Sequence, residues 1–168
     1  MKTIIEISDT IFENRTRGHI EKTIKNLIES NKKLRNFGFA RRARKTLSLF
    51  DYVINFCVVR INLGRGSGKS IFIEKNAEKN DLIISASPLF FRNKKKFKNG
   101  ALVLYAKEIS LDKLQDTLCG RSFDIIYVDE PSLVLQILDI ELNDFFHRVL
   151  KIDHGFANRG GTFILFGE

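Results

Sequence analysis

Between Leu63 and Ser70 the chain reads Leu63-Gly64-Arg65-Gly66-Ser67-Gly68-Lys69-Ser70. Glycines at alternate positions let a backbone curl until successive N–H groups point inward at a phosphate, and a following helix N-terminus adds the positive end of its dipole. The context suits that chemistry, because the apolar run Val53–Ile61 precedes the loop and a helix-like segment, Ser70–Glu78, follows it. In such a loop Lys69 would reach the β- and γ-phosphates of a nucleotide, and Ser70 would set its hydroxyl on Mg²⁺. A nucleotide site built from Gly64, Arg65, Gly66, Ser67, Gly68, Lys69 and Ser70 is the expectation. The usual pattern opens on glycine, where this chain has Leu63.

About sixty residues on, Phe123-Asp124-Ile125-Ile126-Tyr127-Val128-Asp129-Glu130 reads as an apolar strand ending in two adjacent carboxylates. Mg²⁺ keeps most of its water shell and takes few carboxylates, which suits Asp129 at the strand tip. Glu130, one residue further, would orient and deprotonate an attacking water. A kinase attacks with a substrate hydroxyl and has no use for a water-activating Glu there, so the pair points to hydrolysis. The chain has no Asn-Lys-x-Asp segment to read guanine, which favours ATP over GTP.

The elements that must hold these residues read as alternating short apolar runs and helix-sized segments. Lys2–Ser8, Val53–Ile61, Leu82–Ser85, Ala101–Ala106, Phe123–Val128 and Thr162–Phe166 read as strands. Helices are expected over Gly18–Lys33, through Leu47 and Leu49, over Ser70–Glu78 and Ser110–Leu118, and over Ser132–Leu150 as one element. The pattern predicts an α/β fold with a mainly parallel sheet and helices on both faces. Asn99-Gly100 is a turn signal that leaves a local hairpin or an added strand open for Ala101–Ala106. Residues 1–50 read as an N-terminal strand and helix extension, and residues 51–168 as the core, the whole forming one compact domain.

Among the 168 residues, 28 Lys and Arg against 20 Asp and Glu give a net charge of +8, a field that attracts polyanions such as nucleic acid. The excess is clustered in Lys32-Lys33-Leu34-Arg35, Arg41-Arg42-Ala43-Arg44-Lys45 and Arg92–Lys98, each of which reads either as a solvated face or as a phosphate contact. Lys94, Lys95, Lys96 and Lys98, beside Phe90-Phe91, are the candidate nucleic-acid contacts. Cys57 and Cys119 have no close Cys or His companion and read as free thiols. The longest apolar runs fall far short of the roughly 20 residues of a membrane helix, so a soluble, cytoplasmic protein is expected. His147 and His154 lack a partner constellation and receive no role.

Gly64–Ser70 resembles the arginine-bearing phosphate loop of viral large terminases, the ATPases that pump DNA into phage and herpesvirus capsids, and Ile125–Glu130 is similar to their second motif. The resemblance covers roughly residues 53–168, and helicases and AAA-type ATPases share both motifs. It implies a P-loop NTPase of the RecA-like branch whose catalytic base is a Glu (ASCE), with ATP and Mg²⁺ bound and double-stranded DNA as partner. It implies that Arg65 approaches the γ-phosphate, that Lys69 and Ser70 hold phosphate and metal, that Asp129 holds the metal and that Glu130 is the base. A homo-oligomeric ring, or partnership with other packaging proteins, is expected in host cytoplasm. Such rings complete their sites with an arginine from a neighbouring subunit, for which Arg159 in Asn158-Arg159-Gly160-Gly161 is preferred to Arg121 and Arg148. The family's last strand ends in a small polar coupling motif. Here Thr162–Phe166 is followed by Gly167-Glu168, so that motif is expected to be truncated or replaced, and the nuclease half of a large terminase to be missing. Two other expectations stand beside this one: a helicase- or AAA-type ATPase of replication or recombination, and a nucleotide-binding regulatory subunit without turnover.

Overall fold

Runs of β-branched and aromatic residues four to five long make most of the strands, and the longer amphipathic stretches between them make the helices. The computed structural model describes residues 4–6, 17–62, 68–86 and 100–167. Its strands are β1 (Ile4–Glu6), β2 (Val58–Asn62), β3 (Leu82–Ser85), β4 (Leu102–Tyr105), β5 (Ile125–Asp129) and β6 (Thr162–Phe166). Its helices are α1 (Arg17–Leu34), α2 (Gly38–Thr46), α3 (Leu49–Phe56), α4 (Lys69–Asn76), α5 (Leu111–Leu118), α6 (Pro131–Leu138) and α7 (Leu142–Ile152), with a 3₁₀ turn at Ala106–Glu108.

The strands form one sheet in the order β1-β2-β6-β5-β3-β4, and every neighbouring pair is parallel. The fold is therefore α/β with a parallel sheet flanked by helices. All five residues of β6 are buried, as a central strand covered on both faces requires. One face packs Ile24 and Ile28 of α1 and Phe72 and Ile73 of α4 against Val59, Ile61, Tyr127, Ile164 and Phe166. The other packs α3, α5, α6 and α7 against Val58, Leu82, Ile126, Phe163 and Leu165. There the Phe163 ring is met by Phe146 at 4.7 Å and Phe156 at 4.8 Å between centroids. Because β1 pairs with β2 and α1 covers the sheet, these two elements share the layers of the rest.

The connection from β2 through α4 to β3 runs one way along the sheet. Those from β4 through α5 to β5, and from β5 through α6 and α7 to β6, run the other way and put their helices on the opposite face. That reversal is a topological switch point at the carboxyl ends of β2, β6 and β5, the kind of place where open parallel sheets bind ligands.

Two expectations need correction, and one open alternative is decided. The run Val53–Ile61 is not one strand: α3 continues through Phe56, Cys57 turns, and β2 begins at Val58. Ser48 caps α3 by accepting from the Asp51 N–H at 3.1 Å, and Tyr52 and Val53 turn into the core. The helix Ser132–Leu150 is two, broken at Asp139, whose φ of 53° ends α6 in a left-handed residue. Leu138 and Leu142 keep helical spacing across the break, which hides it from a periodicity argument. Finally, β3 and β4 pair in parallel, Leu82 beside Leu102, so β4 is an added strand and no hairpin forms.

At the amino ends of the strands, buried polar groups tie elements together. Asp81 accepts the Glu78 N–H at 2.8 Å on one carboxylate oxygen and the Ile125 N–H at 3.0 Å on the other, while its carbonyl takes Leu102 N–H. Arg35, in a basic run that reads in sequence as either a solvated face or a phosphate contact, is neither of these: it is buried. It donates to the Gly161 carbonyl and the Thr162 hydroxyl, each at 2.7 Å, and to Cys57 Sγ. Asp153 accepts the Phe123 N–H and pairs with Arg159.

Candidate functional site

Gly68 has φ +86°, a left-handed conformation that costs a residue with a Cβ about 1 kcal/mol. It caps α4, its carbonyl accepting from the Phe72 N–H, so that Lys69 and Ser70 occupy the first turn of the helix. Phe72 and Ile73 anchor that helix in the core, while Ser70 stays exposed. Gly64, Arg65, Gly66 and Ser67 lie outside the described residues, as do Lys94, Lys95, Lys96 and Lys98.

The Lys69 ammonium is largely buried and meets Glu130 Oε1 at 3.1 Å across a sequence gap of 61 residues. The loop helix and the acidic strand therefore converge at the carboxyl edge of the sheet. Asp129, the last residue of β5, is 3% exposed and accepts from the Ser85 hydroxyl at 3.3 Å. Burial pushes its carboxyl up to about 6, and the Glu130 charge adds to the rise; the Lys69 ammonium and the Ser85 hydroxyl oppose it. A hard divalent cation would favour the ionised form. The oxygen donors Asp129 and Ser70 are of the kind Mg²⁺ takes, so the residues present fit the ion.

Glu130 itself sits at φ 57°, ψ 65°, a left-handed conformation costing a non-glycine residue on the order of 1 kcal/mol. Its neighbours over-determine that geometry. Its N–H donates to the Phe166 carbonyl at 2.9 Å, its own carbonyl accepts from Val134 at the start of α6, and Pro131 fixes the first helical position. The strand β6 lies between β2 and β5 and ends beside this carboxylate. Gly167, at φ +102°, donates to the Ile61 carbonyl, and a Cβ there would stand 3.3 Å from Glu130 Oε2.

Of the residues the sequence singles out, Gly68, Lys69, Ser70, Asp129 and Glu130 come to this one edge. Arg159 does not: it precedes β6 at the opposite edge, where its guanidinium is engaged by Asp153. His147 stacks flat on Phe50, ring centroids 3.7 Å apart. Sequence reasoning missed Ser85 and Gly167. The signal for Ser85 was a polar residue closing an apolar strand in parallel register with Asp129. That for Gly167 was a glycine directly after the last strand.

A scan against protein-family models and a search of curated proteins each return no match. Among the described residues no helix is long and apolar enough to cross a membrane.

Proposed function

We propose that this chain is a P-loop ATPase of the RecA-like ASCE class that hydrolyses ATP with Mg²⁺ and couples turnover to binding and movement of double-stranded DNA. The ATPase domain of a viral large terminase is the reading that the loop and the acidic strand favour, in a ring of copies or together with other packaging proteins. The observation that carries it is the meeting of Lys69, from the first turn of α4, with Glu130, next to the buried Asp129. A glycine turn with an accidental Lys-Ser has no reason to face a carboxylate pair from a distant strand.

The residues divide the work by chemistry. Lys69 neutralises phosphate charge, and the N–H groups of the first turn of α4 add donors that need no reorganisation. Ser70 and Asp129 would hold Mg²⁺, which when bound screens the phosphate oxygens and favours attack at phosphorus. Glu130 orients a water and accepts its proton. In the structure Glu130 is paired with Lys69. A phosphate that takes over the lysine releases the carboxylate, so filling the site and freeing the base are one event. Arg65 and the trans-acting Arg159 remain parts of this reading carried by the resemblance.

Gly167 favours a second reading. At the end of β6, beside Glu130, it offers no side chain to sense a γ-phosphate, as a nucleotide-binding regulatory subunit without turnover would have it. Steady-state ATP hydrolysis by the protein and by Glu130→Gln, with and without duplex DNA at low and moderate salt, separates the two. Turnover that DNA stimulates and Glu130→Gln abolishes supports the motor. ATP binding with no turnover in any condition selects the regulatory subunit.

A further inference from the structure

From residue 31 to residue 50 the sequence carries seven Lys and Arg and no Asp or Glu. Arg35 alone of these is buried. Lys32, Lys33, Arg41, Arg42, Arg44 and Lys45 are exposed, on the end of α1 and on α2. Lys33 pairs with Glu29, and Arg44 donates to Asn158 Oδ1, which leaves Lys32, Arg41, Arg42 and Lys45 facing outward with no carboxylate partner recorded among the described residues. Phe37 and Phe39 stand in the same stretch, 58% and 55% exposed. Phe39 leans on Phe56, ring centroids 6.0 Å apart, whereas Phe37, in the turn between the helices, meets no ring among the described residues.

Helix α2 is held to the body by its small face. Ala40 is fully buried and Ala43 packs against the core, so the apolar side of the helix is already occupied. What it presents outward is a comb of cations ending in aromatic rings. A bilayer would need a broad apolar face to insert, and this helix has spent its own on the protein. A strand of nucleic acid asks for what remains: cations spaced along a backbone and aromatic faces on which unpaired bases stack. Position adds a second constraint. Arg35 ties the end of α1 to Gly161 and Thr162, and Arg44 reaches Asn158, so the patch lies at the amino edge of the sheet, opposite Lys69 and Glu130.

We infer that residues 32–45 form a single-stranded nucleic-acid contact, in which Lys32, Arg41, Arg42 and Lys45 bind phosphates and Phe37 stacks on a base. The inference rests on the nucleic-acid partner of the ATPase reading and goes beyond it: the strand held here is unpaired, a contact distinct from the duplex that reading moves, on a surface separate from the nucleotide site. Binding is independent of sequence and falls steeply with salt.

The test is fluorescence anisotropy of a labelled oligothymidine of about 20 nucleotides with the full chain, repeated with a duplex of the same length and with phosphatidylserine vesicles as competitor. The triple variant Lys32→Gln/Arg41→Gln/Lys45→Gln is expected to bind the oligonucleotide at least tenfold more weakly, with a salt slope shallower by about 2, roughly 0.7 per lost phosphate contact. Phe37→Ser is expected to weaken the single strand about fivefold or more, leave the salt slope unchanged and leave the duplex unaffected. Circular dichroism of both variants checks that they fold, and basal ATP hydrolysis without DNA should be unaltered, because no substituted residue lies at the nucleotide site. Oligonucleotide binding by the triple variant equal to the parent's overturns the contact. Equal loss of single strand and duplex in Phe37→Ser overturns the stacking, and displacement of the oligonucleotide by the vesicles assigns the patch to an anionic membrane instead. Failure of ATP hydrolysis with oligonucleotide binding intact would sink the ATPase reading and leave this one standing.

Discussion

The two edges of the sheet treat buried charge in opposite ways. At the amino edge the buried ionic groups Asp81, Asp153 and Arg35 each hold two or more partners: both Asp81 oxygens take backbone N–H groups, Asp153 takes a backbone N–H and a guanidinium, and Arg35 is held by a carbonyl, a hydroxyl and a thiol. At the carboxyl edge Asp129 receives a hydroxyl at 3.3 Å, Glu130 is held in a left-handed backbone, and the lysine meeting it comes from a glycine-capped helix. One edge is tied up by its own partners, and the other gathers the groups that the proposed nucleotide site would use. The contrast teaches that burial alone does not mark a site; burial with interactions left to gain does.

Substitutions should separate the edges by which property fails, activity or stability. The largest effect belongs to the carboxyl edge: Glu130→Gln should lower the turnover number of ATP hydrolysis by about 10²-fold or more, removing the base while keeping the shape. Nucleotide binding by equilibrium titration should persist. Equal loss of binding and turnover would make Glu130 a structural partner of Lys69 and break the comparison.

Next in size is Arg35→Met, which leaves the Gly161 carbonyl and the Thr162 hydroxyl buried without their donor. Urea unfolding should show a loss of about 2–4 kcal/mol, with no effect on turnover in the folded fraction beyond what that instability explains. The amino edge also predicts a pH dependence. Burial pushes the Asp81 carboxyl up to about 6, so the folded state holds its proton more tightly than the unfolded chain does. Stability from this group is fully present below pH 4 and is lost as pH rises through about 6, by on the order of 3 kcal/mol. Asp81→Asn, which keeps one acceptor and loses the titration, should flatten the fall in urea midpoint between pH 4 and pH 7 relative to the parent. An unchanged slope would mean that Asp81 is not the group responsible.

Smaller effects sharpen the contrast further. Gly167→Ala, forced to φ +102° and close to Glu130 Oε2, should cost about 1 kcal/mol. It should also lower turnover severalfold, while nucleotide affinity changes little. Glu130→Gly should do the reverse of a core mutation, abolishing turnover while stabilising the fold by up to about 1 kcal/mol through relief of the left-handed strain. Thermal denaturation measures both; destabilisation by Glu130→Gly would mean that the Lys69 pair outweighs the strain.

How legible these edges were in the sequence depends on the range of the signal. The glycines before Lys69, and an apolar strand closing on Asp129-Glu130, are local patterns with a mechanism, and the succession of β3, β4, α5 and β5 follows from periodicity alone. Arg35 was read with Lys32 and Lys33 as part of one basic run, because nothing local says that the chain will turn this side chain under the start of β6. The break at Asp139 was invisible because Leu138 and Leu142 keep helical spacing through it. Phe56 and Val58 were joined into one strand because a short capped helix and a short strand, set end to end, make the same apolar run. Ser85 and Gly167 gain their roles only from strand order, which brings the ends of β3 and β6 beside β5. Parallel register across four strands is a long-range property, and no window of residues contains it.

Strand β6 is fully paired on both sides, by β2 and β5, over nearly its whole length. Its first residue is gripped by Arg35, and the carbonyl of its last accepts from the Glu130 N–H. Five residues in extended conformation span about 17 Å, and a strand locked between two neighbours cannot shorten, bow or change register to absorb a displacement. It is a fixed spacer through the middle of the molecule: it sets the distance between the Arg35 clasp at one end and the backbone of Glu130 at the other.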